Sequence, residues 1–114
     1  MIHGRASRFH VVEVTIDTGA TASTVARTLG GTLVAIHTPS ELTGTAFAIH
    51  ASADGETFDP VYADSEPLSV HVAASRYVVL DWPIKAGAVR IVSNAGSGEA
   101  ATRIVQLVFD LEGA

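Results

Sequence analysis

Five histidines, twelve carboxylates and one tryptophan have side chains suited to chemistry, and no cysteine stands among them. The histidines are His3, His10, His37, His50 and His71. None forms the His-x-His or His-x-x-x-His pair that puts two ligands on one strand or helix face. His37, His50 and His71 fall on three separate expected strands and could meet in space, but the preferred reading is ordinary surface or half-buried residues, and no metal is expected. Without cysteine there is no disulfide, thiolate metal site or Cys nucleophile. Asp54, Glu56, Asp59, Asp64 and Glu66 cluster in sequence, and oxygen ligands on a flexible loop suit calcium. They lack the alternating acids of an EF-hand loop, so a solvated loop is expected. Gly96-Ser-Gly-Glu-Ala-Ala101 matches G-x-G-x-x-A, but a dinucleotide fingerprint needs a strand before it, a helix after it and an acid about 20 residues on. Only 13 residues follow Ala101, and they read as a strand. Ser97 is likewise outside any G-x-S-x-G elbow. No catalytic residue, cofactor site or enzyme is expected.

Binding is the chemistry left open. Trp82 is expected in a loop between strands, where an exposed indole stacks on a sugar or anchors a protein contact, or else plugs one end of the fold. The N-terminal segment Met1 to His10 carries Arg5 and Arg8 with no acid, and Ile2 and Phe9 as apolar anchors. It reads as a frayed end or as an arm that docks on an acidic neighbour. Ile2, Arg5, Arg8, Phe9 and Trp82 are therefore the candidate protein contacts.

The elements that position these residues are strands. Phe47, Ile49 and Ala51 alternate with smaller or polar residues, Asp54-Gly55 supplies a tight turn, and Phe58, Val61 and Tyr62 restart the pattern, which predicts a hairpin. Val12, Val14 and Ile16 alternate with Glu13, Thr15 and Asp17. Val25–Leu29 reads as a short strand before Gly30-Gly31, and Leu33–Ile36 as a central strand stopped at Thr38-Pro39. Leu68, Val70 and Val72 make another strand, with Ser69 and His71 outward. Tyr77–Leu80 reads as a buried run ended by Asp81-Trp82-Pro83. Val89 and Ile91 alternate with Arg90 and Ser93, and a long last strand runs from about Thr102 to Leu111. Helix signals reach one turn at most, around Thr21–Leu29 or Glu41–Thr43. Strands every eight to twelve residues predict an all-β protein, an antiparallel, jelly-roll-like β-sandwich of about eight strands. The domain plan is an arm over residues 1–10 and one sandwich over 11–114. Val12, Val14, Ile16, Val34, Ile36, Phe47, Ile49, Val70, Val79, Ile91, Leu107 and Phe109 are the expected core.

At 114 residues the chain is long enough for one core, and 47% hydrophobic against 17% charged residues predicts a packed globule. A net charge of -5 argues against duplex nucleic acid or an anionic membrane as the main partner. No apolar run reaches transmembrane length, and the N-terminus lacks the apolar core of a secretory signal.

Three motifs, Ser52-Ala-Asp-Gly-Glu-Thr-Phe58, Arg76-Tyr-Val-Val-Leu80 and Val89-Arg-Ile-Val92, occur in the order of the galactose-binding-like, or discoidin, jelly-roll modules, which residues 25 to 111 resemble. Val34-Ala-Ile-His-Thr-Pro39, the hairpin, Val72-Ala-Ala-Ser-Arg76 and the strand from Arg103 to Leu111 resemble small accessory structural proteins of tailed-phage virions. The resemblance implies a non-enzymatic virion component, made in the bacterial host cytoplasm. It would be a capsid decoration or cement protein, or hold a tail or head–tail position. Its partners would be the major capsid or tail protein and copies of itself. It brings no catalytic residue. The alternative is a carbohydrate-binding module using Trp82 or the Asp54–Asp59 region, although a rim of Arg, Asn and aromatic residues is lacking.

Overall fold

The computed structural model describes residues 8–111. Its strands in chain order are β1 (Phe9–Ile16), β2 (Ala26–Arg27), β3 (Thr32–His37), β4 (Ala46–Ser52), β5 (Asp59–Pro60), β6 (Tyr62–Ala63), β7 (Glu66–Pro67), β8 (Ser69–His71), β9 (Tyr77–Lys85), β10 (Ala88–Ser93) and β11 (Arg103–Asp110). No helix occurs among the described residues. One sheet has the order β1-β11-β3-β9; the other has β2-β10-β4, with β5 and β8 both pairing with β4. All these pairings are antiparallel. The fold is an antiparallel β-sandwich, and its long strands pass back and forth between the two sheets.

Alternation along the strands explains the core. Val14, Ile16, Leu33, Ile36, Val105, Leu107 and Phe109 from the four-stranded sheet meet Phe47, Ile49, Val70, Val89 and Ile91 from the other. Nine of the twelve expected core residues are buried, the exceptions being Val12, Val34 and Val79. Val12 packs half-buried against the core. Val34 sits where the pairing of β3 shifts, between Leu33 and Ala35, so a bulge turns it partly outward. Val79 is 69% exposed, because Val78 and Leu80 take the inward positions on β9. Tyr77–Leu80 is thus an edge strand with one wet face, not a buried run. Ser93 is also corrected: it shares parity with Val89 and Ile91 and is buried.

Strand β9 does not stop at Asp81-Trp82-Pro83. Leu33 pairs with Ile84 and Ala35 with Val79, so residues 80–83 form a bulge in which Leu80 stays inward and residues 81–83 are exposed, and the strand then resumes. Pro83 is tolerated there because an edge bulge asks for no amide donor. The hairpin is present, but its connection is longer than a tight turn. Strand β4 ends at Ser52 and β5 begins at Asp59, pairing Ala51 with Asp59. Within residues 53–58, Asp54 Oδ1 accepts from the Glu56 and Thr57 amides at 2.8 and 2.9 Å. Gly55 takes the left-handed φ of 84° that closes the bend. Beyond Pro60 the chain leaves β4 for the small β6–β7 hairpin, then returns as β8 to cover the other half of the same β4 edge. Strand β1 takes in Phe9 and His10, which pair with Asp110 and Phe109. The last two residues of the expected arm thus belong to the sheet.

Candidate functional site: a buried ionic knot and two surfaces

One end of the sandwich is closed by a carboxylate. Glu99, in the β10–β11 connection, has a fully buried side chain and accepts four hydrogen bonds. The donors are the Thr43 amide (2.8 Å), the Gly44 amide (2.9 Å), Ser93 Oγ (2.6 Å) and Arg103 Nε (3.0 Å). Burial raises the Glu99 pKa, but these donors more than reverse it and bring it from 4.5 to about 2. Arg103 also donates to Thr43 Oγ1 at 3.1 Å. Asn94 Oδ1 accepts from the Thr45 and Ala46 amides beside this knot. The Glu99 backbone bonds to Gly19 and Ala20, adding the β1–β2 connection. Gly44 is required, since a methyl there would overlap Ser93 Oγ. A carboxylate so saturated with donors is an anchor between connections, not a base waiting for a proton. Sequence reasoning passed over it. Its only signal was the spacing of four between Glu99, inside the false dinucleotide match, and Arg103 just beyond it.

The histidines are dispersed. His37 faces outward on the four-stranded sheet, with Nδ1 2.9 Å from Gln106 Oε1. His50 and His71 lie on the other sheet. No group of three His, Asp or Glu suited to a metal ion occurs among the described residues. Asp54 lies in the turn, Asp59 in β5, Asp64 between β6 and β7, and Glu66 in β7, so the acidic cluster is spread over three local structures.

His50 and Arg90 are direct cross-strand partners on β4 and β10. The Arg90 guanidinium lies 5.0 Å from the Phe58 ring centroid. His50 Nδ1 and Arg90 Nε are buried without hydrogen-bond partners among the described residues. Burial, then the Arg90 charge, lowers the His50 pKa from 6.5, opposed by Asp59, so the imidazole is neutral at pH 7.

Two surfaces are suited to binding. The first is a cleft between β8 and β9, with a volume of about 340 Å³. Val70, Val78 and Leu80 are among its apolar lining, with Ser69, His71, Asp81 and Trp82 as its polar and aromatic members. A more open groove of about 470 Å³ continues it past Val72, Arg76 and Tyr77. Trp82 is 53% exposed and belongs to the bulge of β9 rather than to a loop; it stands on the rim of this cleft and does not plug the sandwich. The second surface is the outward face of the four-stranded sheet. Nine large apolar residues are exposed among those described; Phe9 and Val11 on β1, Ile104 on β11 and Tyr77 and Val79 on β9 belong to this sheet, Trp82 stands on the cleft rim, and Val25, Leu29 and Tyr62 are elsewhere, while Val108 and Ala35 between Val11 and Val79 are buried.

Of the candidate contact residues, Phe9 is therefore on the apolar sheet and Trp82 on the cleft rim. Arg8 is 3.3 Å from Asp110, an ion pair that ties the start of β1 to the end of β11. Ile2 and Arg5 lie outside the described residues. No family model matches this chain, and no curated protein is significantly similar to it.

Proposed function

We propose that this chain is a non-enzymatic structural module that acts by docking. The resemblance of its motifs makes it a component of a tailed-phage virion, most simply a capsid decoration or cement subunit. The observation that carries the docking role is the exposure of large apolar side chains at both edges of one sheet, Phe9 and Val11 on β1 and Tyr77 and Val79 on β9, since exposed apolar surface is what partners cover. The strand order also supports the jelly-roll reading. Leaving aside β5, β6 and β7, the eight remaining strands in chain order occupy positions 1-8-3-6 in one sheet and 2-7-4-5 in the other. The small hairpin of β6 and β7 is then an insertion between the fourth and fifth of those strands. Mass spectrometry and electron microscopy of particles purified from cells that make the chain test the proposal. The chain is expected in the particles at stoichiometric copy number, and its absence from them refutes the virion role.

A second reading rests on the cleft. An exposed indole beside a carboxylate, an imidazole and a hydroxyl suits a sugar, stacking on its C–H face and bonding its hydroxyls. A glycan array probed with the intact chain and with Trp82→Ala separates the readings. Sugar binding that the substitution abolishes favours the carbohydrate module; an array without binders removes it.

A further inference from the structure

We propose that His50 is an acid-sensitive latch: protonating it releases the connection between β4 and β5 from the outer face of its sheet while the sandwich stays folded. This goes beyond the docking role and does not depend on it. His50 and Arg90 are direct partners on β4 and β10. Their chain neighbours Ile49 and Ile91 point into the core, so both side chains stand on the outer face. The connection folds back over them. Its Phe58 ring lies 5.0 Å from the Arg90 guanidinium. Gly55 rests on Arg27 of β2, so closely that a methyl there would come within 2.7 Å of Nη1. Strand β5 then meets β4 through two residue pairs, Ala51↔Asp59 and His50↔Pro60, and Pro60 has no amide hydrogen to give. The Val61 amide completes the attachment with a 2.9 Å bond to the Ile49 carbonyl.

Two enclosed nitrogens make this attachment sensitive to charge. His50 Nδ1 and Arg90 Nε are both buried with no hydrogen-bond partner among the described residues. A neutral imidazole carries one N–H, so Nδ1 can remain an unpaired acceptor. An imidazolium carries two, and Nδ1 then becomes a buried donor with nothing to receive its proton. It also becomes a cation directly opposite another cation. The charged groups around it are Arg90 on β10, Arg27 on β2, Asp59 on β5, and Asp54 and Glu56 in the connection. His71 on β8 is more remote, since it pairs with Ala46 rather than with His50. Asp54 Oδ1 is taken up by the amides of its own turn, and Asp59 is exposed, where water screens it. Burial and the Arg90 charge outweigh Asp59 and hold the His50 pKa below 6.5. The stability that neutral His50 contributes is therefore complete above pH 6.5 and is lost as pH falls through the lowered folded value.

Local release relieves the charge at least cost. Of residues 53–61, Val61 alone packs against the core, so lifting them leaves the facing side chains of the two sheets in place.

Amide exchange followed by NMR on the intact chain, from about pH 7.5 to about pH 5, tests the latch. Below pH 6.5 the protection of the Val61 amide should fall by up to about tenfold per pH unit, then level off where the folded imidazole itself titrates. The Gly44 amide should keep its protection throughout, because the Glu99 carboxylate that it bonds stays ionised in this range. His50→Gln should abolish the fall. Asp59→Asn removes the opposing carboxylate and should move the levelling point to lower pH; Arg90→Gln should move it up. Constant Val61 protection over the whole range overturns the proposal, as does a fall that persists in His50→Gln. Gly44 protection lost in step with that of Val61 overturns local release, since the whole sandwich then opens. Should His50→Gln not fold, Asp59→Asn decides, and a levelling point that stays in place overturns the latch.

Discussion

Glu99 and Asp54 are both carboxylates brought to a pKa of about 2 by donated hydrogen bonds, yet they do different work. The largest causes for Asp54 are the amides of Thr57 and Glu56, followed by the Ser52 hydroxyl, so every donor lies within three residues. Glu99 draws two of its donors from 55 and 56 residues away, and its side chain is buried. A local turn can form its bonds in the unfolded chain as well, and solvent screens its charge, so its low pKa adds little to stability. The Glu99 bonds exist only when the sandwich is assembled, and their loss takes from the buried Arg103 its nearest carboxylate, leaving it Thr43 Oγ1 and the exposed Glu41 carboxylate 3.9 Å away. A depressed pKa therefore measures how well a charge is solvated by donors, and the sequence distance to those donors measures how much folding depends on it.

The comparison is most directly broken by Glu99→Ala. Removing one partner of a buried pair costs about 3–5 kcal/mol, so urea unfolding should show a loss of that size or a chain that no longer folds. Gly44→Ala should cost about 1–3 kcal/mol, because its methyl forces Ser93 Oγ away from Glu99. Acid unfolding sharpens the same contrast. Both folded pKa values lie below the unfolded ones of 4.5 for Glu99 and 3.8 for Asp54. The stability each contributes is complete above those values and is lost as pH falls toward about 2. Most of that acid limb should belong to Glu99, so Glu99→Gln should flatten it while Asp54→Asn leaves it nearly unchanged. A small effect is expected for Asp54→Ala, whose thermal midpoint should fall by far less than that of either knot variant. Asp54→Asn should match the intact chain, since an amide oxygen still accepts from the Glu56 and Thr57 amides. Equal losses for Asp54→Ala and Glu99→Ala would show that sequence distance to the donors does not matter.

The turn at Asp54 was legible in the sequence because Ser-x-Asp-Gly closes on itself, although the connection it sits in is longer than the two-residue turn those residues suggest. The strand at Val12–Ile16 and the one ending at Leu111 were legible for a related reason: alternation is a property of neighbours. Val79 was misplaced because a run of Tyr, Val, Val and Leu carries apolar side chains at both parities. Only the position of β9 at the edge of the sheet decides which parity is wet. Trp82 was misplaced because Asp81-Trp-Pro83 reads as a stop, whereas an edge strand can carry a bulge and continue.

The sequence by itself determined the class of this protein. Period-2 hydrophobicity, turn residues between short strands and the absence of helical spacing leave an antiparallel sandwich as the way to bury these side chains. Its order of sheets was settled elsewhere. Strand pairing joins residues about a hundred positions apart, as in Phe9 and Asp110, and no local pattern encodes which strands become neighbours. The same holds for both features that bear on function. The Glu99–Arg103 knot gathers groups from four separate segments, and the apolar residues exposed on β1 and β9 belong to one sheet only because β11 and β3 stand between those strands. Local residue types choose the elements; the free energy of packing those elements together decides which charges are enclosed and which apolar face is left outside.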